Sequence, residues 1–208
     1  MSYQLYYKPG ACSMAPHVLL NELGVAFEGT EVTIDQMKSP EFMKLNPRGQ
    51  IPLLIVDGEP VKEGAAIMTY LLDTHDKEGK LMPKSGLPRA KALEWLAWCN
   101  SSLHPACGKV FGLGKLTSLD EKATEELKKA YVSQVQALWD EADARLAKTK
   151  YLAGDTLTVA DILLSVIANW GLPVTLGANV KRVISEVSKR PAYQKTLATE
   201  HVEYKAAA

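Results

Sequence analysis

Little in this chain can cross-link it, and nothing in its bulk charge draws it to a polyanion. Of its 208 residues only three are cysteine: Cys12, Cys99 and Cys107. The count is odd and no pair has zinc-type spacing, so neither a disulfide framework nor a structural metal site is expected. That usage suits a reduced, cytoplasmic setting. Lysine plus arginine equals aspartate plus glutamate at 24 each, which leaves no basic surplus for nucleic acid or anionic lipid. No apolar run approaches the ~20 residues needed to cross a bilayer. The opening Met-Ser-Tyr-Gln-Leu-Tyr-Tyr-Lys has no signal-peptide core. Repeats and low-complexity segments are missing too. What remains is an ordinary globular composition, 47% hydrophobic and 23% charged, long enough for one large or two small domains.

The first half of the chain alternates strand and helix signals. Tyr3, Leu5 and Tyr7 alternate as a short strand would, and Lys8-Pro9-Gly10 breaks the run. A helix follows from about Met14 to Leu23, with Gly24 as its stop. Phe27 to Ile34 alternates loosely and reads as a second strand, completing a βαβ unit. Leu53 to Val56 is a short apolar run followed by the hairpin turn Asp57-Gly58. A helix opens after Glu63, on the small residues Gly64, Ala65 and Ala66. The order β-α-β, then β-β-α, is thioredoxin-like.

The segment from Lys77 to Pro88 is rich in glycine, proline and charge and reads as a linker. Beyond it the periodicity is helical. Leu93, Leu96, Asn100, Leu103 and Cys107 share one face of a helix expected over 89–107, after which Gly108, Gly112 and Gly114 loosen the chain. Ser118-Leu119-Asp120-Glu121 reads as a capping box opening a long helix with the spine Leu127, Tyr131, Val135, Leu138, Ala142 and Leu146. Thr158 and Asp161 have the spacing of a further cap, ahead of the apolar run Ile162 to Ala168, which belongs at the core. One more helix, Val180 to Ser188, stops at Arg190-Pro191. The expected division is an α/β thioredoxin-like domain at 1–79, a linker at 80–88 and an all-α domain at 89–208.

The stretch 46–54, Asn-Pro-Arg-Gly-Gln-Ile-Pro-Leu-Leu, is the most informative in the chain. Pro52 cannot donate to a ladder, so the backbone groups of Gln50 and Ile51 are left for another partner. The helix start after Glu63 offers unpaired N–H groups that suit a carboxylate. One small acidic peptide can use both. This constellation resembles the glutathione-binding half of the glutathione transferases. Tyr7-Lys8-Pro9-Gly10-Ala11-Cys12-Ser13 is similar to the bacterial beta class of that family, and the resemblance runs through Arg190-Pro191. It implies a cis peptide before Pro52, with Ile51 and Pro52 clamping the cysteinyl backbone of glutathione beside Gln50. It implies that Glu63 and Gly64 hold the γ-glutamyl end. Many members have serine where Gly64 stands, so here only the backbone N–H remains to bond. It further implies a homodimer, in which Asn100 and Ser101 reach toward a ligand in the facing subunit. Lys38, in the loop after the second strand, would meet the glycyl carboxylate, a surface lysine being the alternative there.

Two side chains carry the expected chemistry. Cys12 lies at a helix start, where the dipole favours thiolate by only ~0.3–1 kcal/mol, less than one pK unit. A nearby donor or cation must supply the rest. Cys12-Ser13-Met14-Ala15 has no resolving cysteine at that spacing, so an internal disulfide at the site is not expected, while a mixed disulfide with a thiol ligand stays open. A small packed residue is the alternative at Cys12. Ser13 is the alternative activating hydroxyl, since other classes use serine near this point. His104 shares a helix face with Asn100 and Ser101, and the resemblance points it at the glutathione sulfur. Pro105 stands where relatives often have lysine. Cys99 and Cys107 read as helix packing, and His17 as a packing or surface residue. The leading expectation is a transferase joining glutathione to small hydrophobic electrophiles, in a pocket near Phe111 and Trp170, with no metal. The rival is a non-catalytic binding module on the same fold.

Overall fold

A computed structural model describes residues 1–115 and 120–206. Strand β1 (Tyr3–Tyr7) runs parallel to β2 (Glu28–Glu31) and antiparallel to β3 (Leu53–Val56), which pairs with β4 (Glu59–Lys62) in the order β2-β1-β3-β4. Asp57 and Gly58 turn the β3–β4 hairpin, both with positive φ (49° and 91°), as a tight hairpin twist demands. The sheet buries both faces. Tyr3, Leu5, Tyr7 and Leu54 join the main core under helices α1 (Met14–Glu22) and α4 (Gly64–His75). Leu53 and Tyr6 turn the other way, onto Phe42.

The segment after β2 departs from the sequence expectation. Strand β2 stops at Glu31, because Thr33 and Gln36 form a capping box that starts α2 (Ile34–Met37). Ser39 then caps α3 (Pro40–Leu45), which carries Phe42 under the sheet. Lys38 therefore ends a helix instead of riding a free loop. The connection after α4 is also tighter than a linker rich in glycine suggests. The Asp76 carboxylate accepts the N–H groups of Lys80, Leu81 and Met82 at 2.8–3.1 Å, and Leu81 and Met82 are buried.

Helix α5 (Gly86–Trp98) begins three residues before the expected start and leads into a wide π turn over Cys99–Leu103, then α6 (His104–Gly112). Pro105 explains the wide turn: it has no N–H for the Ser101 carbonyl, and its ring would crowd that carbonyl in a regular helix. Gly108 and Gly112 sit inside α6 and do not loosen it. Asp120 caps α7 (Glu121–Leu146) by accepting from Ala123 N at 2.7 Å; Ser118 and Leu119, expected in its cap, lie outside the described residues. Trp139, absent from the expected spine, is among the largest buried side chains of the chain. Asp143 reaches from α7 to the N–H groups of Asn179 and Val180, capping α9 (Ala178–Ser188), which has no cap of its own.

Helix α8 (Val159–Ala168) is the centre of the helical half, with every residue from Val159 to Ile167 buried. It packs on α1, α5 and α9, so it joins the two halves. Helix α10 (Pro191–Glu200) lies along α1. The Arg190 guanidinium forks onto the Glu22 carboxylate at 2.5 and 2.8 Å across the same seam.

The cap of α8 does more than start a helix. Asp161 is wholly buried and accepts N–H bonds from Leu152 (2.9 Å) and Thr158 (2.8 Å). Burial pushes its pKa up to about 6, against the pull of those donors. Removing the carboxylate would strand two buried N–H groups, at ~1–3 kcal/mol each. Asp161→Ala is therefore expected to lower the unfolding free energy by about 2–5 kcal/mol in urea titrations. A loss under ~1 kcal/mol would show that water replaces the carboxylate there.

Candidate active site

The loop between β1 and α1 is built around Ser13. Its buried Oγ accepts from Lys8 N at 3.1 Å and donates to Lys8 O at 3.3 Å, folding residues 8–13 into a closed turn. Ser13 is thus committed to its own loop and faces away from the clefts, whereas Cys12 faces into them. Gly10, with φ of 68°, is held on both sides: its N–H donates to Glu200 Oε2 at 2.9 Å, and its carbonyl accepts from the Trp170 indole at 3.0 Å. Glu200 also receives His17 Nδ1 at 2.8 Å, both residues being buried. His17 is a packed interdomain residue.

Opposite this loop lies the stretch 46–52. Buried Asn46 donates from Nδ2 to Gln50 O at 2.7 Å, and its own carbonyl accepts Gly49 N at 2.9 Å. Gly49 has φ of 58°, and a Cβ there would come within 2.8 Å of Met37 O, so no side chain fits. This small knot presents the cis Ile51–Pro52 bond to the cleft. The Cys12 thiol donates to Ile51 O at 3.5 Å.

Glu63 precedes α4 with φ of 68° and ψ of 116°, an uncommon conformation for a residue with a Cβ. Residues held in this way concentrate at ligand sites. Its carboxylate pairs with the Arg48 guanidinium. Gly64 opens α4, and Asn100 Oδ1 and Pro52 Cγ each lie 3.5 Å from where a Cβ on Gly64 would be. Asn100 therefore reaches this site within its own chain.

These residues line one cleft of about 450 Å³, which includes Cys12, Arg48, Gln50, Ile51, Pro52, Glu63, Gly64, Asn100 and His104. A second cleft of about 430 Å³ adjoins it, walled by Lys8, Pro9, Phe111, Asn169 and Trp170. Cys12, His104 and Gly108 line both. The rings of His104 and Trp170 meet edge to face, 4.9 Å apart. Two expected residues stay outside. Lys38 is exposed and lines neither cleft, and the cation on the first cleft is Arg48. Ser101 is exposed and donates to Ala97 O at 2.7 Å, back along its own helix.

The electrostatics correct one expectation. Burial pushes the Cys12 thiol up to about 11, and the Cys12 and Ser13 N–H groups only partly oppose it. Among the described residues no cation supplies the missing stabilisation. Burial likewise holds the His104 imidazole below its ordinary value of 6.5, so it is neutral at pH 7. Both groups are neutral hydrogen-bond donors poised where the two clefts meet. Among the described residues no cluster of histidine, cysteine and carboxylate is arranged to hold a metal ion, and no helix is long and apolar enough to cross a membrane.

Arg48 and Asn46 escaped the sequence reading as site residues, although both sit in the motif it singled out. Loop composition marked the turn, but the fold alone brings Arg48 against Glu63.

A small mixed sheet with a cis-proline loop, joined to a helical unit that closes the far side of its cleft, defines a recognisable class. Residues 1–73 match the family model for the glutathione S-transferase N-terminal domain, and residues 102–199 match that for the C-terminal domain. A glutathione S-transferase of Xanthomonas campestris is 37% identical over 170 residues, covering 80% of this chain and 81% of that protein. The solved structure of a glutathione S-transferase from Xylella fastidiosa superposes with a TM-score of 0.90 at 30% identity, over 97% of this chain and 100% of that one. A sphingomonad glutathione S-transferase complexed with glutathione superposes at 0.82 with 29% identity, over 96% of this chain and 100% of that one. The chain belongs to the glutathione S-transferase family.

The raised Cys12 pKa has a direct chemical readout. Only the thiolate alkylates, and a pKa near 11 leaves a thiolate fraction of about 10⁻⁴ at pH 7. Because the shift is upward, the iodoacetamide rate at Cys12 should climb about tenfold per pH unit from pH 7 to 9.5 without levelling, whereas a free thiol levels near ~8.5. Peptide mass spectrometry follows the site. A plateau below pH 8 would mean that a cation or donor reaches Cys12 after all.

Proposed function

We propose that this chain conjugates reduced glutathione to small hydrophobic electrophiles, as a transferase most like the beta class. The observation that carries the reading is the meeting of two clefts at Cys12 and His104. One cleft has the features an extended acidic peptide needs, and the other has apolar aromatic walls. The reacting sulfur belongs at their junction.

Glutathione lies along Gln50, Ile51 and Pro52, with its γ-glutamyl end at Glu63 and the Gly64 N–H. Its cysteinyl N–H takes Ile51 O, the acceptor that the Cys12 thiol also uses. That exchange frees the Cys12 S–H to donate to the incoming sulfur. His104 donates from the helical side. Bringing a thiol of pKa ~8.5 down by two units takes ~2.7 kcal/mol, and a hydrogen bond to a charged partner supplies ~1.5–3 kcal/mol. Two donors are therefore enough without a cation. Burial of the Cys12 thiol favours this donor role over attack by Cys12 itself in thiol-disulfide exchange. The same reading takes 1–79 as the glutathione domain, 80–88 as the linker and 89–208 as the electrophile domain. It makes the protein a cytoplasmic homodimer.

Turnover of 1-chloro-2,4-dinitrobenzene with glutathione, followed by absorbance, tests the reading. Cys12→Ala and His104→Ala should each lower kcat/KM about tenfold and move its pH midpoint up by about one unit, the value of one lost bond to thiolate. Glutathione binding by calorimetry without any turnover would point instead to a binding module. No heat at millimolar glutathione would remove the reading altogether.

Gly64 offers a gain-of-binding test. The nearest atoms to an added Cβ are at 3.5 Å, ordinary contact, and Gly64 does not have positive φ. Gly64→Ser should place a hydroxyl beside the γ-glutamyl carboxylate and lower KM for glutathione about threefold to tenfold, the value of one net hydrogen bond. A KM that is unchanged or higher would place that carboxylate elsewhere.

A further inference from the structure

The second cleft can be read through its polar groups one at a time. The Trp170 indole N–H is committed to Gly10 O at 3.0 Å. The Asn169 amide is committed to the C-terminal tail: Nδ2 donates to Glu203 O at 2.9 Å, and Oδ1 accepts Lys205 N at 2.7 Å and Ala206 N at 3.2 Å. Trp170 has no N–H left for a ligand, and Asn169 keeps one uncharged N–H of its amide. Cys12 and His104 stand at the seam, facing the sulfur. Phe111 is 52% exposed and presents an uncovered ring 6.1 Å from that of Trp170. Lys8 is what remains. It lines the cleft, its backbone is bonded to Ser13, and its ammonium has no ion-pair partner among the described residues.

Aromatic walls with one uncommitted cation select a flat ring that carries negative charge. We propose that the electrophile is an aromatic compound bearing a carboxylate or similar anion, its ring against Phe111 and Trp170 and its anion at Lys8. This rests on the transferase reading above and gives it a substrate class. For an aryl halide the balance is simple. The glutathione thiolate gives an electron pair to the ring carbon, and a carbon–sulfur bond forms. The carbon–halogen bond breaks, the halide leaves with its pair, and the thiol proton goes to solvent. Lys8 takes no part in those bonds and acts on which acceptor is held. A partly exposed pair of this kind changes a rate ratio a few-fold to about tenfold and weakens with salt.

The test compares 4-chloro-3,5-dinitrobenzoate with its methyl ester, each with glutathione. Dividing each kcat/KM by the uncatalysed rate constant removes the difference in intrinsic reactivity. The wild-type ratio of acid to ester should be about 3–10, should fall to about 1 in Lys8→Gln and in about 0.5 M sodium chloride, and should survive in Lys8→Arg. A ratio unchanged in Lys8→Gln, or one below 1 in wild type, with the ester still turned over, overturns the proposal and leaves the transferase reading standing. Failure of wild type to turn over either compound or to bind glutathione overturns the transferase reading itself.

Discussion

The hold on Gly10 from the helical half of the chain is the contact on which the site depends. Glu200 ends α10 and accepts the Gly10 N–H, while Trp170, just beyond α8, donates to the Gly10 carbonyl. The loop that carries Cys12 belongs to the sheet domain, yet its position is set by groups about 160 and 190 residues further along the chain. His17 ties the same carboxylate to α1. A rigid-body shift between the two halves would have to break these bonds, all of them partly or wholly shielded from water. Since the two clefts share Cys12 and His104, one from each half, their separation is fixed by this same tie. Reacting groups held in this way gain the orientation that a flexible loop cannot give.

A second consequence concerns charge. With no cation beside it, Cys12 stays protonated, and burial also keeps His104 neutral. For the transfer proposed above, a site of neutral donors is the better preparation for an anionic sulfur. A thiolate on Cys12 would repel a second thiolate at close range, and an imidazolium would have to be desolvated at large cost. The present arrangement avoids both. On the same proposed reading Pro105 needs no lysine in its place, because hydrogen bonds of ordinary strength cover the shift in pKa.

Much of the fold was readable from residue patterns because the relevant signals are local. Alternation at Tyr3–Tyr7, Asp57-Gly58 at the hairpin and the Thr158–Asp161 spacing each determine structure within a few residues. The errors have local explanations too. Ile34 looked like the end of a strand, but Thr33 and Gln36 cap a helix there. The glycines after Cys107 looked like breakers, but α6 contains Gly108 and Gly112. The lining of the first cleft was legible where backbone signals mark it, at Ile51, Pro52, Glu63 and Gly64. It was not legible where it depends on what long side chains meet. Arg48 against Glu63, Ser13 turned into its loop and Ser101 turned back along its helix are outcomes of packing that spacing does not encode.

The wide turn at Cys99–Leu103 shows how those two levels join. Pro105 forces the helix open because its nitrogen cannot donate, and this is a purely local rule. The opened turn nevertheless lies between Asn100, which leans on Gly64, and His104, which leans on Trp170. One residue thus reaches the Gly64 end of the first cleft and the other reaches the seam with the second. A regular helix would stack positions 100 and 104 nearly above one another on a single stripe. Both residues hold their contacts across this turn, so one helical segment lines two adjacent clefts. The backbone irregularity that looks like a defect in α5–α6 carries Asn100, which lines the first cleft alone, and leads to His104, which lines both.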